Sequence, residues 1–126
     1  SEILNNIEFI KDTFQGDIFL IMNNLKKSKN VYAKKIYNSL SNKCPMSLAV
    51  TTELYNRAKQ LTLKECLEME FQLSQKIVYR DDFNNGVESV LVKKNNNPVW
   101  KPNSTEEITY EQINNLFKIH TDKLNL

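Results

Sequence analysis

Only two glycines, Gly16 and Gly86, occur among 126 residues. A loop that cradles phosphate groups with backbone N–H donors needs several glycines close together, and this chain cannot build one. A GxGxxG dinucleotide turn is excluded for the same reason. With three prolines and few runs of β-forming residues, the chain is expected to be all-α. The pattern of apolar stripes and stops divides it into a compact bundle of about six helices.

At this length one domain, 1–126, is expected, with enough chain to bury a core. The net charge of +2 is weak. Lysines alternate with acids along most of the sequence and are not gathered on one face with aromatics. That argues against a nucleic-acid binder. Cys44 and Cys66 fall in different expected helices, without CxxC or Cys/His spacing. Neither a zinc site nor a secreted disulfide scaffold is implied, so reduced thiols in a soluble intracellular protein are expected. The longest apolar run, Ile18 to Met22, is far short of the roughly 18 residues that span a bilayer. No signal-like segment follows Ser1. The absence of an initiating methionine is the expectation for a piece of a longer chain.

Ile3, Ile7, Ile10 and Phe14 recur at helical spacing over 2–14, and Gly16 fits a stop. Asp17 is placed to cap a second helix to about Lys27, with Ile18, Ile21, Met22 and Leu25 inward. A third carries Ala33, Ile36, Tyr37 and Leu40. Pro45 ends it and opens the next, because the residue before proline leaves the α region and proline suits the first helical turn. That fourth helix runs to about Lys59, with Val50, Leu54 and Ala58 inward. The hydroxyls Ser47, Thr51 and Thr52 near its start are read as solvent-facing or bonded back to the preceding turn.

Thr62 and Glu65 form a T-x-x-E capping box, in which each side chain meets the other's free backbone N–H. The helix it opens is expected to bury Leu63, Cys66, Leu67, Leu73, Ser74 and Ile77. Glu70 falls on that stripe. A buried carboxylate must be paired or protonated, and no second acid, histidine or nucleophile shares its face. A structural partner such as Arg57 is therefore expected, in preference to a general acid or base. Asn84-Asn85-Gly86 could turn a hairpin into a VESVLV strand. The helical spacing of Phe83, Val87, Val90 and Leu91 favours a helix capped by Asp81 or Asp82, in which Gly86 admits a close neighbour. Lys93 and Lys94 then complement its C-terminal dipole. Asn95 to Pro98 read as a turn, Trp100 as the anchor of a crossing segment, and Thr109 with Gln112 as a second capping box. Behind that box Ile113, Leu116 and Phe117 face inward.

Three stretches in this order, ECLEMEFQLSQ, DFNNGVESVLVKKNNNPVWKP and EEITYEQINNLF, resemble the carboxy-terminal part of 3-hydroxyisobutyryl-CoA hydrolases, a branch of the crotonase (enoyl-CoA hydratase/isomerase) superfamily. The weaker CPMSL at Cys44 to Leu48 fits the same pattern. The resemblance covers about 17–120. The sequence departs at Asn85, where the family has Glu, at Ser89, where it has Ala, and at Cys44, where it has Ser. The resemblance implies a mitochondrial parent enzyme that hydrolyses a 3-hydroxyacyl-CoA thioester in valine breakdown. It also implies a glycine-rich core preceding this region, which supplies the oxyanion hole and the catalytic acid. Two glycines and the single histidine, His120, do not supply that site. The chain is thus expected to be a helical C-terminal domain, inactive alone, with no catalytic or metal-binding residues and no tightly held cofactor of its own. Its expected partners are its own core, acyl-CoA and further copies of itself, without nucleic acid or membrane. By the same resemblance Lys93 and Lys94 lie beside the coenzyme A phosphates, while Val90 stands where an adenine-stacking Phe would be. An alternative is a non-enzymatic scaffold or interaction module derived from such a protein.

Overall fold

The computed structural model describes residues 1–92 and 98–119. Among these no strand occurs, in agreement with the all-α expectation. The described residues form eight α-helices, a π-helical stretch at Glu88–Val92 and a 3₁₀ turn at Thr105–Glu107. The chain divides into two units, Ser1–Lys43 and Cys44–Leu126.

In the first unit the expected opening helix is two pieces, α1 (Glu2–Asn5) and α2 (Ile7–Thr13), broken at Asn6. The break changes which face is buried. Thr13 is buried and Phe9 packs on the core, whereas Ile3 stays 61% exposed. Gly16 takes φ +82, a left-handed conformation that other residues rarely adopt. It turns the chain into α3 (Ile18–Lys27), whose N-cap Asp17 accepts from the Leu20 N–H at 2.8 Å. Asn30 caps α4 (Val31–Ser41) in the same way through the Tyr32 N–H. Ile21, Leu25 and Ala33 form the core between α3 and α4, flanked by Phe9, Met22, Ile36, Tyr37 and Leu40.

The second unit begins with α5 (Pro45–Ala58), with Pro45 in its first turn. Its buried face is Met46, Ala49 and Val50. The Thr52 hydroxyl donates back to the Leu48 carbonyl, the back-bonded hydroxyl expected of it. Helix α6 (Leu63–Ile77) opens on the Thr62–Glu65 capping box, both bonds of which are present. The Thr62 N–H, and then its hydroxyl, hold the Glu65 carboxyl below the usual range. Helix α8 (Tyr110–Leu116) opens on the Thr109–Gln112 box and buries Ile113 and Leu116. Arg57 ties α5 to the end of α8. Its guanidinium lies 4.4 Å from the centre of the Phe117 ring, bonds Asn114 at 3.2 Å and pairs with Glu53 at 2.9 Å. Lys76, near the end of α6, donates to the Asn115 carbonyl.

Two expected faces differ. In α6 the buried residues are Gln72 and Leu73; Leu63 is 76% exposed, and Ser74 and Glu70 are exposed. Helix α6 packs against α8, and that packing leaves Glu70 exposed. Glu70 therefore needs no buried partner. In α7 (Asp81–Val87) and the π-helix that continues it, Phe83, Val87, Val90 and Leu91 are exposed and not the buried face, while Asp82 and Ser89 are buried. The π-helical turn holds more residues than an α-turn and so shifts the register of the residues after it.

Candidate functional site

The second unit contains a cavity of about 280 Å³. It lies between the start of α5 (Cys44, Met46, Ser47), the end of α6 (Ile77) and α7 (Asp82, Phe83, Gly86, Val87), with Arg80 and Trp100 completing the wall. Each side is placed by a local sequence signal. Pro45 starts α5 at the right point to bring Cys44 and Met46 to the rim. Asp82 and Gly86 are four residues apart, so they share one face of α7.

The segment around Trp100 crosses that face. The Lys101 N–H donates to Asp82 Oδ1 at 2.6 Å. Arg80 Nη2 donates to the Lys101 carbonyl at 3.1 Å, and Asn85 Nδ2 to the Val99 carbonyl at 3.1 Å. A chain segment without a helix or sheet of its own thus has its backbone groups satisfied by three α7-region side chains. Trp100 then lies against Gly86: a Cβ added there would sit 3.2 Å from Cη2 and 3.4 Å from Cζ3 of the indole. Gly86 is needed for this approach, as its position in the sequence suggested.

Asp82 is 6% exposed and forms the electrostatic centre of the arrangement. Besides Lys101 it pairs with Arg80 at 3.6 Å and accepts from the Cys44 thiol at 3.6 Å. These contacts make it a latch that fixes the crossing segment. Arg80 Nε, by contrast, is buried without an acceptor. Cys44 occupies the N-cap of α5 yet forms no side-chain capping bond; cysteine is not among the residues that favour this position.

The sequence-derived candidates fare unequally. Glu70 is exposed on α6 and lies outside the cavity lining. Lys93, Lys94 and His120 lie outside the described residues. Among the described residues no group of three His, Cys, Asp or Glu side chains is arranged to hold a metal. No described helix is long and apolar enough to cross a membrane. Arg80 and the latch role of Asp82 were not anticipated. The available signal was an Asp one helical turn before a glycine, followed by a tryptophan between prolines.

Two solved structures share this fold. An enoyl-CoA hydratase from Rhodobacter sphaeroides 2.4.1 superposes with a TM-score of 0.82 at 21% identity, over 93% of this chain and 35% of that one. A carnitinyl-CoA dehydratase from Mycobacterium thermoresistibile gives 0.88 at 24% identity, over 99% of this chain and 36% of its own. These likenesses define the fold. The family follows from sequence: residues 1–117 match the enoyl-CoA hydratase/isomerase model, and the chain belongs to that family. Among curated relatives, the mitochondrial 3-hydroxyisobutyryl-CoA hydrolase of Xenopus laevis is 35% identical over 116 residues, 91% of this chain and 30% of the relative. The human protein of the same name is 36% identical over 98 residues, 78% of this chain and 25% of that one. The chain thus spans less than a third of the length of these relatives.

Proposed function

We propose that this chain is the helical C-terminal region of a 3-hydroxyisobutyryl-CoA hydrolase-like enzyme, one that cleaves an acyl-CoA thioester in valine breakdown. Its role is to support the catalytic core and to place cations beside the coenzyme A phosphates. It is inactive alone. The observation that carries this reading is the match of 91% of the chain to only 30% of the Xenopus hydrolase. The scarcity of glycine supports it, since an oxyanion hole of backbone N–H groups in a tight loop has no sequence here from which to form. Its own core is the principal partner, acyl-CoA the ligand and the mitochondrion the compartment suggested by the relatives' names.

Hydrolysis of 3-hydroxyisobutyryl-CoA, followed through release of the CoA thiol, tests the claim of inactivity; robust turnover by this chain alone would refute it. Lys93 and Lys94 are assigned to the CoA phosphates. Calorimetric titration with CoA, repeated on Lys93→Ala and Lys94→Ala, should show weaker binding in both variants. Unchanged binding removes the lysines from the site without touching the family assignment.

A further inference from the structure

We propose that the end of the first unit where α3 turns into α4 is a docking surface for an anionic phospholipid bilayer, on which the chain lies without crossing. Neither the coenzyme A assignment of Lys93 and Lys94 nor the hydrolase reading bears on it. The expected absence of a membrane partner rested on the lack of a spanning segment, and a surface contact needs none.

One stretch breaks the alternation of lysines with acids. Residues 18–52 contain Lys26, Lys27, Lys29, Lys34, Lys35 and Lys43 and no Asp or Glu. Folding gathers the first five at one end of the unit. Lys26 and Lys27 lie in the last turn of α3, Lys29 lies in the short link, and Lys34 and Lys35 lie one turn into α4. All five are exposed. Asp17 caps the opposite end of α3, about 15 Å away along the helix axis.

The helices' own fields account for only part of this charge. Lys26 and Lys27 complement the C-terminal dipole of α3. Lys34 and Lys35 stand near the N-terminus of α4, where the dipole disfavours cations and no acid occupies the first turn. Lys35 meets Glu2 at 3.0 Å, in an ion pair open to water on both sides and therefore weak. The cation excess at this end thus points outward, to an anionic partner.

Apolar exposure identifies that partner. Val31 opens α4 among these lysines and is 80% exposed. It shares a helix face with Lys34 and Lys35, three and four residues on. The Lys35–Glu2 pair brings the start of α1 alongside, and Ile3 and Leu4, next to Glu2, are exposed as well. A bilayer surface suits both features: lipid phosphates meet the ammonium groups, while aliphatic side chains and lysine stems reach the boundary of headgroups and acyl chains. Nucleic acid suits only the charge. Tyr32 packs edge-on against Phe9 and Tyr37 lies on the core, so neither ring of α4 offers a face on which a base could stack.

Co-sedimentation of the whole chain with vesicles tests this, comparing phosphatidylcholine alone with an equal mixture of phosphatidylcholine and phosphatidylglycerol. The mixture is expected to bind about tenfold more tightly or better, and to release the protein in high salt. A lysine close to an anionic membrane contributes about fivefold in affinity, so Lys29→Gln/Lys34→Gln should weaken binding about 25-fold, with helix content unchanged by circular dichroism. Lys64→Gln/Lys118→Gln removes the same charge from exposed positions of the second unit and should cost less than about threefold. Val31→Asn should weaken binding severalfold without altering its salt dependence. No binding to the mixture, equal binding to phosphatidylcholine alone, or an equal loss in both double variants would each overturn the proposal. Displacement from the vesicles by the soluble headgroup glycerophosphoglycerol at matched phosphate would overturn it in favour of a free phosphate ester, and displacement by duplex DNA at matched phosphate in favour of nucleic acid.

Discussion

Replacing Gly86 by alanine sets two effects of opposite sign against each other. In a helix, glycine is less favourable than alanine by about 1 kcal/mol, chiefly through backbone entropy. The exchange would stabilise α7 if nothing else changed. The new Cβ, however, would sit 3.2 Å from Trp100 Cη2, closer than ordinary van der Waals contact, and 3.4 Å from Cζ3, at the near edge of it. Trp100 cannot simply lift away. Its neighbours Val99 and Lys101 are held by Asn85, Asp82 and Arg80. Overpacking of this kind costs about 1–3 kcal/mol. Set against the alanine gain, a net loss of roughly 1 kcal/mol is expected. The discriminating partner is Trp100→Phe, which lacks both indole atoms that make the contact. In that background Gly86→Ala should stabilise, giving a coupling of about 1–2 kcal/mol in the double-mutant cycle. Urea unfolding followed by circular dichroism measures all four proteins. A Gly86→Ala that stabilises equally in both backgrounds would show that the indole does not press on this glycine.

Asp82→Ala removes the acceptor of the Lys101 N–H and leaves Arg80 without its ion pair. A loss of about 2 kcal/mol is expected, together with a red shift of Trp100 emission as the crossing segment loosens. Unchanged emission and stability would remove the latch role. Met46 is fully buried, so Met46→Ala should cost about 2–5 kcal/mol, read from the urea midpoint; a cost below about 1 kcal/mol would show that the site collapses readily. Thr62→Ala and Thr109→Ala should each cost about 1 kcal/mol, with amide exchange accelerated in the first turn of the affected helix. Because the folded-state Glu65 carboxyl is held low by Thr62, its support for α6 is present above the ordinary carboxylate range. That support is lost as pH falls through the lowered value. Amide protection in the first turn of α6 should therefore drop in acid for wild type, and Glu65→Gln, which has no carboxyl to titrate, should remove that dependence.

Helix identity was largely legible from local chemistry. Asp17, Thr62 and Thr109 cap as their side chains and spacing require. Pro45 opens α5, and Gly86 marks a close approach. Those signals act over three or four residues and need no partner from elsewhere. The hairpin alternative at Asn84–Gly86 fails because α7 continues through it. What was not legible is which apolar face meets a neighbour. Leu63, Phe83, Val87, Val90 and Leu91 form helical stripes, yet all stand exposed. Periodicity tells that a face is apolar; it does not say that this chain covers it. The two breaks in regular geometry, at Asn6 and along Glu88–Val92, also displace the stripes from a continuous 3.6-residue count.

The candidate site shows the same division. The sequence supplied its materials: a proline that fixes the start of α5, an Asp and a Gly one turn apart, and a tryptophan between prolines. The stretch that holds Asp82, Gly86 and Trp100, taken in order with ECLEMEFQLSQ before it and EEITYEQINNLF after it, carried the resemblance to the enoyl-CoA hydratase/isomerase family. Only the tertiary structure decided that Asp82 is a buried latch, that Arg80 closes the polar corner and that Cys44, 38 positions earlier, donates to the same carboxylate. Caps and propensities are settled by the neighbouring residues of the chain. Burial, charge pairing and cavities are settled by segments that meet only when the helices pack, and no short window of sequence contains both partners.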